Sequence, residues 1–523
     1  MHGRLTLAAA TMAALALGCA PHAEEGGGAI TLALRDSFAT FDPAFAVDPQ
    51  QSPFLRLVYE GLVAFDDSGR VVPACARAWQ VSNGGQTIRF ELHEGLVAAD
   101  GTPVTAEDFK RGIERLFRPG PLRSPGAPQF VALEGALGQG RRDAPPLGID
   151  APDARTLVLR LAWPDPFLLE KLAQPRFVVP ASAGGEPRPN GPYRLVREGD
   201  GYVFVRDEGH RASLGRDDAR RARAGVLDTI RVLTGIPARR ALLGLESGRI
   251  DLLSPIPGEY RERLLRSAAF GHVEAALDPP LTWWLVLNCE LAPLARRDAR
   301  RGVALAIHRP RLPEELGSAF VPLRTFAVDG AAMAPGYDPG QARLAFEAAK
   351  FFTGVRAPVT VPRASALAGA LDALAPAMAR GAVQVDPVAV SRAEWQRALL
   401  ERRGMSAAIA TWQSPTGDGL DDLAARLLNR GLESGWGGNW SWYHPGPGLD
   451  SLLLRGLRQA DPVTRAAIRD QVAQLLESDL PFVPLASVRE AAVFRHGLTG
   501  VSFHPRDGLL LTAIGRPART TRP

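Results

Sequence analysis

Cysteine and lysine are both scarce in this chain. The cysteines are Cys19, Cys75 and Cys289, and the lysines are Lys110, Lys171 and Lys350. Neither Cys75 nor Cys289 sits in a CxxC pair or a Cys/His cluster, so no metal site is expected; the two could pair with each other in an oxidising compartment. With so little lysine, nearly all of the 61 basic residues are arginine. They are interleaved with acids, and even the dense runs Arg216 to Arg223 and Arg296 to Arg301 contain Asp217, Asp218 and Asp298. The net charge of +5 and pI near 9.4 therefore reflect composition and give no nucleic-acid surface. Long apolar runs are also missing. Leu5 to Leu17 is too short to span a bilayer and no other stretch approaches the required length. Catalytic signatures are absent too: no GxSxG elbow, no HExxH, no Walker loop. The nine histidines are scattered, and His93, His210, His272 and His308 have no spaced partner, which favours structural roles. No enzyme activity and no cofactor are expected.

What is present fits a soluble globular chain, 46% apolar and 22% charged. At 523 residues it exceeds one core and implies two to four domains. The most informative stretch runs from Val58 to Phe117. Asp66-Asp67-Ser68-Gly69 and Ser82-Asn83-Gly84-Gly85 are turn signals between apolar runs. Ile88, Phe90 and Leu92 alternate with Arg89, Glu91 and His93, the period of a half-buried strand. After Asp100-Gly101, Thr105 is placed to cap a helix with Asp108 three residues on, and Phe109, Ile113, Leu116 and Phe117 fall on one face.

These landmarks resemble the family-5 extracytoplasmic solute-binding proteins of ABC transporters, the oligopeptide, dipeptide and nickel-binding group. The residues that carry the resemblance are Tyr59-Glu60-Gly61-Leu62, Gly69 to Pro73, the step into Trp79, Thr87-Ile88-Arg89-Phe90 and above all Asp100 to Phe109 (DGTPVTAEDF). Further matches are Gly191-Pro192-Tyr193, Ser247-Gly248-Arg249-Ile250-Asp251, the helix Asp298 to Arg309 and Leu480 to Leu485. The resemblance covers roughly 30 to 512 and is weak at 118–150, 210–225 and 413–435. It implies an α/β, periplasmic-binding-protein-like two-lobed fold (type II, cluster C) with an extra subdomain on the N-terminal lobe. Residues 29–52, 173–280 and 485–523 would form the first lobe, 53–172 the extra subdomain and 281–484 the second lobe. Crossings near 275–285 and 482–488 would form the hinge. Cys75 and Cys289 would then lie in different lobes as unpaired, buried thiols. The Pro-, Gly- and Arg-rich stretch 118–150 reads as a surface excursion. Asp461-Pro462 opens a helix with Ile468, Val472, Leu475 and Leu476 on its apolar face.

Residues 1–19 read as an export signal, with Arg4 before the apolar run and Gly18-Cys19 at its end. The small residue before a cysteine resembles a bacterial lipoprotein signal. Cys19 would be lipidated, 20–28 would be a flexible tether, and the protein would be held at a membrane in the periplasm or cell envelope; Ala16 stands where leucine is commoner, so simple cleavage nearby is the alternative.

What the resemblance implies for the ligand is capture of peptides or peptide-like solutes by a monomer that hands them to permease subunits. The expected wall is Phe45 and Asp48 from the first lobe and Trp412, Gln413, Trp436 and Trp440 from the second, with one of Trp283 and Trp284 facing the cleft. Trp412, Trp436, Trp440, Trp442 and Tyr443 lie within a short, partly Gly-rich stretch that suits either an aromatic pocket or a local core. One departure stands out. Peptide-binding members carry an aspartate three residues after the tryptophan to pair with the ligand's α-amino group; here that position is Pro415, and Asp418 is the next candidate. Binders of metal chelates, haem or oligosaccharides, a sensory receptor, and a periplasmic hydrolase remain the alternatives.

Overall fold

The structure is a computed structural model. It describes residues 28–516 except 119–123, 141–142, 199–200, 216–217, 328–329, 331, 364, 402–404 and 429–438. Cys19, the signal segment and Trp436 lie outside the described residues.

The stretch from Val58 to Phe117 folds as its pattern dictates. Val63–Phe65 pairs antiparallel with Val71–Pro73 across a turn in which Asp66 Oδ1 accepts from the Ser68 and Arg70 amides at 2.9 and 3.0 Å. Gly69 sits there at φ 81°, a conformation that side-chain-bearing residues adopt only with strain. Thr87–Leu92 buries Ile88, Phe90 and Leu92 and turns Arg89 outward. It is central in a four-stranded sheet with Ala76–Ser82, Thr156–Arg160 and Ile149–Asp153. Helix Ala106–Glu114 starts at a capping box: the Thr105 amide donates to Asp108 Oδ2 at 2.8 Å. Its apolar face, continued by the turn Arg115–Phe117, is buried.

Two larger sheets make the lobes. The first has seven strands in the order Phe270–Ala275, Glu490–Arg495, Leu252–Leu253, Ala29–Ala33, Thr229–Leu233, Gly201–Arg206 and Tyr193–Glu198. The second has six, in the order Phe320–Pro322, Phe482–Val488, Leu281–Leu287, Ala407–Trp412, Val355–Pro362 and Val383–Val390. Ala29–Ala33 runs parallel to Thr229–Leu233 and Leu252–Leu253, so three strands end on the same edge. Leu281–Leu287 is buried at every position because it is central and covered on both faces. The chain passes from the first sheet to the second between Ala275 and Leu281 and returns between Val488 and Glu490.

Several expectations are corrected. The return strand does not leave the six-stranded sheet at 485; Phe482–Val488 pairs with Leu281–Leu287 on both sides of a register shift between Trp283 and Trp284. Within 118–150, residues Ser124 to Leu133 are buried and Phe130 packs edge-on to Phe177, because alanine, phenylalanine and valine there outweigh the turn formers. Helix Pro462–Asp479 is capped by Asp461 as expected, but Leu475 points outward and Ala473 inward. Cys75 and Cys289 are both free thiols; Cys75 is buried and Cys289 half-buried.

Apolar residues of the four-stranded sheet and of the six-stranded sheet belong to one continuous core, whereas the seven-stranded sheet has its own core around Leu32, Phe204 and Ile230. Polar ties reinforce that contact: Lys171 Nζ lies 2.6 Å from Asp421 Oδ1 and 2.9 Å from Asp165 Oδ2, all three side chains being buried.

Candidate ligand-binding cleft

Where the carboxyl ends of parallel strands meet a second layer, loops diverge and leave a crevice. That happens here. Leu34 to Asp36, Ile236 and Ser254 to Gly258 follow the three parallel strands and border a cavity of about 200 Å³. The opposite wall comes from the six-stranded sheet and its helices: Trp283, Phe320, Ala366, Arg392 and Val488. A smaller space of about 40 Å³ adjoins it, sharing Gln50, Ser254, Pro255 and Glu490 and bordered also by Gln413.

Charge is concentrated on the cleft floor. Asp48 caps the turn Pro49–Gln51, accepting from the Gln50 amide at 3.1 Å, and makes an ion pair with Arg392 of the facing lobe. Thr411 Oγ1 reaches the same carboxylate at 3.4 Å. Arg392 also lies 3.6 Å from Asp36 and stacks over Trp395. Burial pushes the Asp36 carboxyl up to about 6 against the pull of Arg392. Glu490 is buried, and among the described residues its side-chain hydrogen bond is to the Gln50 side-chain amide at 3.4 Å. Burial raises its carboxyl to about 6, Asp48 adding to the rise while Gln50 and Arg261 oppose it. A folded-state value above the unfolded 4.5 means that this group favours folding at low pH and loses that contribution as pH rises through about 6. Glu490→Gln is therefore expected to stabilise the ligand-free protein by about 2 kcal/mol at pH 8 and to change nothing at pH 4, read from urea midpoints at the two pH values.

The structure sorts the expected wall residues by strand parity. Successive side chains of a strand face opposite sides. Trp283, paired with Thr411, faces the cleft; Trp284, paired with Ala410, faces away. Trp412, paired with Thr282, shares the side of Trp284. There Trp284, Trp412 and Phe482 surround the Arg426 guanidinium at 4.4, 5.7 and 4.9 Å, and Trp440 packs edge-on to Trp412 at 5.7 Å. Arg426 pairs with buried Asp422, which also accepts from the Trp412 indole. The aromatic box thus holds the protein's own cation, and Trp284, Trp412 and Trp440 do not border the larger cavity.

Gln413 is buried and ties the end of its strand to the crossing, its side chain donating to the carbonyls of Pro279 at 3.0 Å and Arg506 at 3.1 Å. Phe45 is half-buried and packs into the core that the extra subdomain shares with the second lobe. Asp418 is not available to an amine in place of Pro415: it caps helix Gly419–Leu427 and holds Arg465 through two bonds of 2.7 and 2.8 Å. Sequence reasoning missed Asp36, Arg392 and Glu490. Glu490 carried a signal, an acid that opens the apolar run Ala491 to Phe494, but nothing local says where in the sheets it lies. Among the described residues no group of three or more His, Cys, Asp or Glu is placed to hold a metal, and no helix is long and apolar enough to cross a membrane.

The family model for bacterial extracellular solute-binding proteins, family 5, matches residues 70–424. Among curated proteins, the periplasmic murein peptide-binding protein MppA of Escherichia coli K12 is 28% identical over 309 residues, 57% of this chain and 56% of that protein. The match thus spans little more than half of that relative's length. The probable ABC transporter periplasmic-binding protein SapA of the same organism is 24% identical over 530 residues, 93% of this chain and 92% of its own. Among solved structures, MppA superposes with a TM-score of 0.79 at 22% identity, covering 94% of this chain and 98% of that one. The protein AgaA of A. tumefaciens, solved with agropinic acid, gives 0.78 at 16% identity, with 94% and 99% covered. These structural likenesses show the two-lobed fold.

Proposed function

This chain belongs to the bacterial extracellular solute-binding proteins of family 5, and on that premise we propose that it captures peptides or peptide-like solutes between its lobes for delivery to the permease of an ABC importer. The observation that carries this reading is the cavity bordered by both sheets, with the return crossing at Val488 to Glu490 in its wall and Leu277 of the other crossing bordering the smaller space that adjoins it. A solute touching both walls favours the closed arrangement by its differential affinity for it, and the permease reads that arrangement. No bond is made or broken. The family and its neighbours are binding proteins, and the names of the relatives include peptide binders. AgaA, with agropinic acid, extends the same fold to other small solutes.

The test is native mass spectrometry of protein purified without refolding. A ladder of retained peptide masses is the expected result; a single discrete non-peptide mass or a metal would replace peptide by that solute class.

We place the protein outside the cytoplasmic membrane, monomeric and tethered through lipidated Cys19. The observations behind this are the short apolar leader that ends at Gly18-Cys19 and the periplasmic relatives. Cys19→Ala is expected to move the protein from the membrane fraction to the soluble envelope fraction; an unchanged distribution would mean cleavage without an anchor.

A further inference from the structure

The chain as a whole is basic, yet the floor of its cleft is acidic. Of the groups bordering the cavity, Arg35, Glu259, Glu315 and Arg489 are exposed at the rim and balance in sign. Deeper in, Arg392 is shared between Asp48 and Asp36. Arg261, which also borders the cavity, is engaged by Glu274 at 2.7 Å. That leaves Glu490, 7% exposed, with a neutral amide as its hydrogen-bond partner and no ion pair among the described residues. A buried carboxylate without a counter-charge is costly and is normally paired.

A second observation is independent of charge. Trp283 borders the same cavity from the facing lobe, is only 4% exposed, and its indole N–H has no acceptor. Buried tryptophan N–H groups ordinarily find a partner. Across the cavity, Glu490 calls for a cation and Trp283 for an acceptor oxygen; Arg261 Nε and Arg392 Nη1, on residues that also border it, are likewise buried without a hydrogen-bond acceptor among the described residues. One molecule that carries an ammonium group and a carbonyl meets the demands of Glu490 and Trp283.

We propose that the cleft is selective for solutes bearing a protonated amine, seated against Glu490 of the first lobe while a carbonyl oxygen of the same solute accepts from the Trp283 indole of the second. This deepens the solute-capture reading above and rests on it. Pro415 then has a physical consequence: the charge that would anchor an amine on the second lobe is missing, and the first lobe supplies it. A ligand held this way bridges the lobes, because each of its two polar groups is satisfied on a different sheet.

The test uses the full chain and an arginine-free tripeptide library, offered either free or fully acetylated so that neither the N-terminus nor lysine carries charge. Binding is read by native mass spectrometry and the apparent affinity of retained species by calorimetry. Free tripeptides are expected to bind wild type at least 10-fold more tightly than acetylated ones, since a charge-assisted contact is worth more than one factor of ten. Glu490→Gln should erase that ratio, and Trp283→Phe should weaken both sets alike. Unfolding curves on the variants confirm that they are folded, and the wild-type comparison needs no variant. Equal binding of free and acetylated libraries by wild type would overturn the amine site while leaving solute capture standing. Binding of neither library would overturn the amine site together with the peptide reading.

Discussion

Lys171→Met lowers stability by about 3–5 kcal/mol at pH 8, the largest effect expected from a single exposed-to-buried count of charges. Lys171 is one of three lysines in the chain and is 3% exposed. Its ammonium sits between Asp165 at 2.9 Å and Asp421 at 2.6 Å, both carboxylates being buried. Burial alone would lower the ammonium's pKa, but the two carboxylates hold it above its ordinary value. Removing the cation leaves two buried anions facing each other. The loss should shrink at pH 5, because orphaned carboxylates take up protons and burial already raises that of Asp421. Lys171→Met with Asp421→Asn should recover part of it. The measurement is the urea midpoint at unchanged slope for the single and double variants at both pH values. A single variant within 1 kcal/mol of wild type at pH 8 would mean that Lys171 does not neutralise the pair. Lys171 lies in helix Leu168–Leu172 and Asp421 in helix Gly419–Leu427, so the same substitution loosens the contact between these two segments.

Trp412→Ala costs a similar amount, about 3–5 kcal/mol, and does so without the ligand. The indole packs on Trp440, flanks the Arg426 guanidinium and donates to Asp422, which is 1% exposed. Truncation opens a cavity and strips a donor from a buried carboxylate. Trp412→Phe keeps one aromatic ring, loses the donor and leaves a smaller void than alanine does, so about 1–3 kcal/mol is expected. Because Trp412 faces away from the cavity bordered by Trp283, the folded Phe variant should bind wild-type ligands with unchanged affinity by calorimetry. A large fall in affinity with normal stability would return Trp412 to the ligand wall, where the sequence alone had put it.

Much of the fold was legible because the signals are local. Thr105 and Asp108 are three positions apart, so the helix start could be read from a pair of letters, and the same holds for Asp461-Pro462 and for the turns at Gly69 and Gly84. The family resemblance put a crossing near 275–285, and the chain passes from one sheet to the other there, between Ala275 and Leu281. The segment 118–150 misled at Ser124 to Leu133, because turn-forming residues mark irregular backbone without saying whether it is covered, and there a core covers it.

The cleft was only half legible. The sequence by itself determined that two adjacent tryptophans lie on one strand, that Pro415 breaks the expected anchor for an amine, and that no local catalytic motif is present. It could not decide which tryptophan faces the ligand, because a strand's two faces differ by a single step and only pairing with neighbouring strands fixes the parity. The pairing of Trp283 with Thr411 made that choice and turned Trp412 toward Arg426. Nor could it pair groups far apart in the chain. Asp48 meets Arg392 across 344 positions and Lys171 meets Asp421 across 250. Charge contacts of that kind depend on distance in space and leave no periodic trace along the sequence, so only the tertiary structure decided which carboxylates are paired and left Glu490 without an ion pair among the described residues.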